Sequence, residues 1–188
     1  MAEGAAGRGT LLLVVGPSGA GKDSLIGWCR ARLASDASVV FPRRAITRLA
    51  DGTEDHDSLT EAAFEAAVGR GEFALHWRAH GLGYGIPAAI DADLAAGRNV
   101  VANVSRAVLD EARRRYPPVR IIVVTAPAEV LAERLRRRNR EETEDIARRL
   151  ARAAAYAPDG ADVATIDNGG SLEDAGAVML AMVRPGPG

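Results

Sequence analysis

The stretch LLLVVGPSGAGKDSLIGW, from Leu11 to Trp28, restricts the fold more than any other part of the chain. Thr10–Val15 reads as a strand, and its run of aliphatic residues suits burial on both faces, as in a parallel sheet. Gly16-Pro17-Ser18-Gly19-Ala20-Gly21-Lys22 then satisfies the G-x-x-x-x-G-K pattern. Glycines let such a loop curl and turn its N–H groups inward, forming an anion nest. The helix expected from about Lys22 to Leu33 adds the positive end of its dipole. Lys22 supplies a mobile charge for the β- and γ-phosphates of a nucleotide. Buried strand, glycine loop and helix together predict an α/β nucleotide-binding core.

Asp23 is the misfit, because Ser or Thr normally follows the lysine and binds magnesium. An ionised carboxylate only accepts hydrogen bonds. It repels a nucleotide unless magnesium lies between them, where it becomes a hard oxygen ligand, direct or through water. The expected core strands Asn99–Val104 and Arg120–Thr125 lead into Asn103, Ser105 and Thr125, none of them acidic. Asp23 is therefore expected to supply the metal-side carboxylate, with Ser24 as backup ligand roughly 100° further round the helix. The alternative is a first-turn acid favoured by the helix dipole alone.

Beyond the loop, aliphatic runs alternate with amphipathic stretches. Helices are expected at Glu61–Val68 (capped by Thr60), Pro87–Ala96, Val108–Arg115, Ala128–Arg138, Glu142–Ala155 and Leu172–Val183. Strands are expected at Val39–Phe41 and Val163–Ile166 besides those named. The pattern predicts a P-loop kinase architecture, a doubly wound parallel sheet with helices on both faces. Residues 1–188 are expected to form one domain, with a core of about 10–47 and 88–183. The polar, glycine-dotted segment of about 48–87 interrupts the alternation and reads as an inserted acceptor-binding subdomain.

Composition narrows the partners. The net charge of −1 argues against a nucleic-acid binder relying on bulk charge. The longest aliphatic run is too short to span a bilayer, and Met1–Gly9 lacks the apolar stretch of a signal peptide. The single cysteine, Cys29, allows no internal disulfide, and a reducing cytoplasm is the expected setting. Its apolar neighbours predict a buried thiol used for packing.

Two regions carry the remaining chemistry. Arg44 and Arg48 flank Thr47, and planar guanidinium groups fork onto phosphate oxygens. In HWRAHGLGYGIP, from His76 to Pro87, the glycines are expected to loosen the chain around Tyr84, which either reaches a phosphate or packs as a turn aromatic. Trp77 reads as subdomain core or as a stacking surface for substrate. His76 and His80 are expected to be structural or exposed. The arginine-rich run from Glu133 holds Arg138, Arg140 and Arg149 around a break near Asn139–Thr143. Such runs are often solvated faces. A hairpin there, about 138–143, is also the layout of a short lid that closes over ATP and neutralises the transferred phosphoryl group.

These motifs resemble the guanylate-kinase branch of the P-loop kinases over nearly the whole chain. The shared features are the phosphate loop, TR at Thr47–Arg48, GEF at Gly71–Phe73, YG.P at Tyr84–Pro87, AAGR at Ala95–Arg98 and IARRL at Ile146–Leu150. The resemblance implies that Arg48 and Tyr84 hold an acceptor phosphate. It also implies carboxylates that read guanine, but Leu75 and Ser105 stand at those positions, and Ile86 replaces a hydroxyl after YG. Losing polar readout costs orders of magnitude in discrimination.

The combination is similar to the ribose 1,5-bisphosphate phosphokinases of phosphonate breakdown. They share GPSG.GKDSL, ITR, a WHA.GL.YG segment (here Trp77-Arg-Ala-His80-Gly-Leu82, then Tyr84-Gly85), a strand ending N.SR and R.RE with A.Y downstream. The resemblance implies ATP and magnesium as cofactors, with a sugar bisphosphate converted to 5-phosphoribosyl 1-diphosphate. Lys22, Arg138 and Arg149 are then the expected catalytic cations. Gly16–Ser24 with Arg138 and Arg140 are expected to hold the nucleotide and its metal. Arg44, Arg48, Tyr84, Ser105 and Arg106 are expected to hold the acceptor. Neither nucleic acid nor membrane is an expected partner, and oligomeric state stays open. The competing readings are a nucleoside monophosphate kinase, or a non-catalytic module of the same fold, which would have lost its phosphate loop.

Overall fold

The computed structural model describes residues 7–49, 56–137 and 158–185. The expected lid, the expected helix Glu142–Ala155 and Arg138, Arg140 and Arg149 lie outside the described residues.

The core is a five-stranded sheet in the order β2-β7-β1-β8-β9. Its strands are β1 (Leu11–Val15), β2 (Val39–Val40), β7 (Asn99–Asn103), β8 (Val119–Thr125) and β9 (Val163–Asp167). Every pairing is parallel. β1 lies in the centre, and its side chains alternate between two hydrophobic layers, as a strand covered on both faces requires. Leu11, Leu13 and Val15 pack with Ile90 and Leu94 of α3 (Ile90–Ala95) and Leu109 and Ala112 of α4 (Leu109–Arg115). Leu12 and Val14 pack with Leu25 and Cys29 of α1 (Lys22–Arg32), Leu131 of α5 (Ala128–Arg137) and Met179 of α6 (Leu172–Val183). The doubly wound sheet is thus realised. The chain leaves β1 toward one edge and later fills the other, so the C-terminal end of β1 is the switch point where such sheets bind ligands.

Cys29 is fully buried in the second layer, and burial pushes its thiol up to about 11 despite the nearby Arg32. It is a packing residue, as expected. Thr60 caps α2 (Glu61–Gly69), its hydroxyl accepting from the Ala63 N–H at 3.2 Å.

The second region is a four-stranded sheet, order β4-β3-β6-β5. It is built from β3 (Arg44–Ile46), β4 (His56–Ser58), β5 (Phe73–Ala79) and β6 (Leu82–Pro87). Two expectations change here. The glycines near Tyr84 do not loosen the chain. His80 (φ 52°) and Gly81 (φ 74°) form a two-residue turn with both central residues at positive φ, the twist a tight hairpin needs. Gly83 and Gly85 lie in β6 because aromatic rings cover them: an added Cβ would stand 2.8 Å from Phe64 and 2.5 Å from Phe73. Pro87 does not open a helix either. It closes β6 opposite Phe73, and the helix starts at Ile90 after Ala88 donates to the Glu72 carbonyl. Proline suits a strand end as readily as a first helical turn.

Candidate active site

The two sheets meet at a cleft of about 280 Å³. One wall is the phosphate loop: Gly16, Ser18, Gly19, Gly21, Lys22 and Asp23. The loop follows β1 and turns on glycines at positive φ (Gly16 147°, Gly19 84°, Gly21 86°) before α1 begins at Lys22. Lys22 Nζ donates to the Gly16 and Pro17 carbonyls at 2.8 and 2.9 Å, so its ammonium lies over the loop. Ala20 is buried beneath it.

The loop is fastened from behind by Asn168, which sequence reading missed, and by Arg134 of the arginine-rich run. Asn168 follows β9, is 3% exposed, and donates from Nδ2 to the Ala20 carbonyl at 2.7 Å. Arg134 of α5 donates to the Asn168 carbonyl at 2.8 Å and reaches the Gly19 carbonyl at 3.5 Å. A Cβ on Gly21 would stand 2.4 Å from Asn168 Nδ2, so that glycine leaves room for the clamp. No local pattern marks Asn168, whose partner is 148 positions away. Asn168→Ala is expected to cost about 1–3 kcal/mol, the usual penalty for stranding a buried polar partner. It should also raise KM for ATP more than it lowers kcat. Urea unfolding and an ATP titration measure the two, and an unaltered unfolding midpoint would remove the clamp from this picture.

The opposite wall is Arg44, Trp77, Ala79, His80, Tyr84, Asn103, Val104 and Ser105. Trp77 and Tyr84 face each other across β5 and β6 and stack with centroids 5.4 Å apart and planes 3° apart. Trp77 is both subdomain core (8% exposed) and cleft wall. His76 is exposed and packs edge-on to Phe64, whereas His80, in the hairpin turn, lines the cleft. Ser105 lines the cleft while its hydroxyl accepts from the Ala107 N–H, capping a short 3-10 turn that starts at Arg106.

Arg48, Arg106, Pro17, Ala20 and Ser24 do not line this cleft. Arg48 follows β3, and its carbonyl receives a hydrogen bond from buried His56, Nε2 to oxygen 3.2 Å. Thr47 beside it holds β6: its N–H donates to the Gly83 carbonyl and its hydroxyl accepts from the Gly83 N–H. His56 is a second residue the sequence did not flag.

Asp23 joins the two walls. Asn103 Nδ2, at the end of β7, donates to Asp23 Oδ1 at 2.7 Å. Arg44 Nη2 stands 3.6 Å from the same oxygen, while its Nη1 donates to the Asn103 carbonyl at 3.1 Å. The Arg44 side chain is only 12% exposed. Burial lowers the basicity of its guanidinium, and Asp23 opposes that effect. Both of these contacts use Asp23 Oδ1. Among the described residues no group of three acidic, His or Cys side chains is placed to hold a metal. Magnesium in phosphoryl-transfer sites needs only one or two carboxylates beside substrate phosphates, and Asp23, which lines the cleft, supplies one, whereas exposed Ser24 lies outside that lining.

Comparison with known proteins places this geometry. The family described as AAA domain matches residues 11–157. Ribose 1,5-bisphosphate phosphokinase PhnN of Brucella melitensis biotype 2 is 51% identical over 166 residues, 88% of this chain and 86% of that protein. The chain belongs to the ribose 1,5-bisphosphate phosphokinase family. The family's member from Rhodopseudomonas palustris is 47% identical over 180 residues, 96% of this chain and 91% of its own. The phosphokinase fold is also that of guanylate kinase from Anaplasma phagocytophilum, with a TM-score of 0.65, 18% identity, and coverage of 95% of this chain and 85% of that one. Where the guanylate-kinase pattern would set polar base readers, this phosphokinase buries Leu75 and Ile86 completely. No helix among the described residues is long and apolar enough to cross a membrane.

Proposed function

We propose that this chain transfers the γ-phosphoryl group of ATP to the 1-phosphate of α-D-ribose 1,5-bisphosphate, giving 5-phosphoribosyl 1-diphosphate and ADP, in a reducing cytoplasm. The observation that carries this reading is a cleft with Lys22 on one wall and Arg44 on the other, while Leu75 and Ile86, where the guanylate-kinase resemblance would set polar base readers, are buried in the core outside its lining. An anomeric phosphate oxygen forms the new bond to γ-phosphorus as the bond to the β-bridging oxygen breaks and ADP leaves. The second pKa of such a phosphate is about 6, so it attacks as a dianion near neutral pH and needs no general base. The difficulty is charge: two polyanions must meet, and positioned cations lower that barrier.

Lys22 serves the β- and γ-phosphates and the loop N–H groups cradle them; Arg138, Arg140 and Arg149, outside the described residues, are the further candidate cations for them. Arg44, Arg48, Tyr84, Ser105 and Arg106 take the acceptor. Asp23, with Ser24 as backup, would hold magnesium directly or through water, and the bound ion would shield charge on the transferring phosphoryl group.

The test is ADP release with magnesium and ATP plus either ribose 1,5-bisphosphate or GMP. Turnover with the bisphosphate and a kcat/KM for GMP lower by about 10⁴ or more is expected, the range set by unpaired polar readout. Turnover with GMP alone would make the protein a nucleotide kinase, and no turnover with either would make it a binding module.

A further inference from the structure

Resting on that reading, we propose that Asp23 positions Arg44, and that Arg44 so held grips the attacking 1-phosphate rather than the 5-phosphate. The position that normally carries a neutral hydroxyl carries here a carboxylate that reaches sideways to the acceptor sheet. Three elements converge on it: the start of α1, the end of β7 and β3. Arg44 is 3.6 Å from Asp23 Oδ1 and bonds the Asn103 carbonyl, which fixes two faces of its guanidinium. Asn103 completes the ring by donating to Asp23 at 2.7 Å. A serine or threonine hydroxyl is too short and uncharged to do this. The planar fork of arginine gains from such fixing because its donors are pre-set for a phosphate.

Location assigns the phosphate. Among the described residues, Lys22 and Arg44 are the lysine and arginine that line the cleft. Lys22 belongs to the nucleotide wall. Arg44 lies beside the first turn of that same helix, at the seam where donor and acceptor phosphates must touch. The attacking phosphate is the acceptor group that reaches this seam. The far phosphate of the sugar is left to groups deeper on the acceptor side.

The carboxylate also makes two opposed demands that an experiment can separate. If Asp23 acted only through magnesium, removing a negative charge beside Arg44 would leave metal-free anion binding unchanged or tighten it, by simple Coulomb attraction. If it positions Arg44, the same removal loosens binding.

Calorimetry in EDTA, with ADP filling the phosphate loop, measures ribose 1,5-bisphosphate affinity directly. Asp23→Ala is expected to weaken it about tenfold, in line with the coupling between residues of one ion-pair and hydrogen-bond network. Asp23→Asn, which keeps the shape and the Asn103 contact, should lose severalfold. Arg44→Lys should weaken it at least as much, and Asp23→Ala added to Arg44→Lys should cost nothing more, because one acts through the other. With monophosphate probes, Arg44→Lys should weaken α-D-ribose 1-phosphate binding and leave ribose 5-phosphate binding intact. Unchanged or tighter metal-free binding in both Asp23 variants, or additive losses in the double variant, overturns the positioning role. Loss confined to ribose 5-phosphate overturns the assignment to the 1-phosphate. Wild-type protein that fails to bind the bisphosphate sinks the activity itself, whereas wild-type binding that the Asp23 variants leave untouched sinks only this inference.

Discussion

Lys22→Ala is expected to reduce kcat/KM by about 10³ or more while leaving the fold intact. The scale follows from mutations that remove one preorganised group facing developing charge, which cost about 10²–10³ in rate. Lys22 also carries a full charge into a site that must bring two polyanions together. Its ammonium is already above the loop, held by the Gly16 and Pro17 carbonyls at 2.8 and 2.9 Å. Those two bonds are weaker partners than phosphate oxygens, so a bound nucleotide draws the side chain away from them. Alanine is the best helix former and Lys22 is the first residue of α1, so the melting curve should hardly move. A coupled assay for ADP with a parallel thermal melt decides the matter. More than a tenth of wild-type turnover in a folded variant would remove the lysine from the mechanism.

Gly16→Ala should damage the fold itself. Gly16 has φ 147°, a region that side chains with a Cβ avoid. Its missing Cβ would stand 2.1 Å from the Val124 carbonyl oxygen, in a buried strand of the central sheet. A backbone oxygen paired within a sheet cannot swing aside as a side chain can. Backbone strain of about 1–3 kcal/mol and a comparable overpacking cost add to about 3 kcal/mol or more. For a chain of this length that corresponds to a drop of roughly 6–12 °C in Tm. Nucleotide binding should fall with it, because the loop and β8 must separate. A melting temperature within about 2 °C of wild type would show that the loop can relax.

The phosphate loop was legible because its physics is local. A buried strand, glycines that accept positive φ and a helix start lie within one short stretch, and each element was found where the spacing put it. The strands Asn99–Asn103 and Val119–Thr125 were legible for a related reason, since burial leaves a near-continuous aliphatic run, and the edge strands Val39–Val40 and Val163–Asp167 were legible from their short β-branched stretches. The acceptor sheet hid itself. Phe73–Ala79 alternates Leu75 and Trp77, facing the core, with exposed His76 and Arg78. Beside polar neighbours and three nearby glycines, that short pattern was read only as part of an inserted subdomain with a loosened chain around Tyr84. What makes Gly83 and Gly85 strand residues is the pair of rings from Phe64 and Phe73, which no local rule announces.

Taken alone, the sequence determined the fold class and the phosphate loop, because each follows from residue types at fixed short spacings, and through the resemblance to guanylate kinases it implied that base-reading carboxylates are missing. It also singled out Asp23 as anomalous, but not what it touches. Tertiary structure decided that. Asn103 lies 80 positions away and Arg44 sits on a different sheet, yet both meet one carboxylate oxygen. The same holds for the Asn168 clamp on Ala20. Hydrogen bonds and ion pairs across such separations depend on how strands order themselves in space, and that order is set by burying whole hydrophobic layers rather than by any one residue's neighbours.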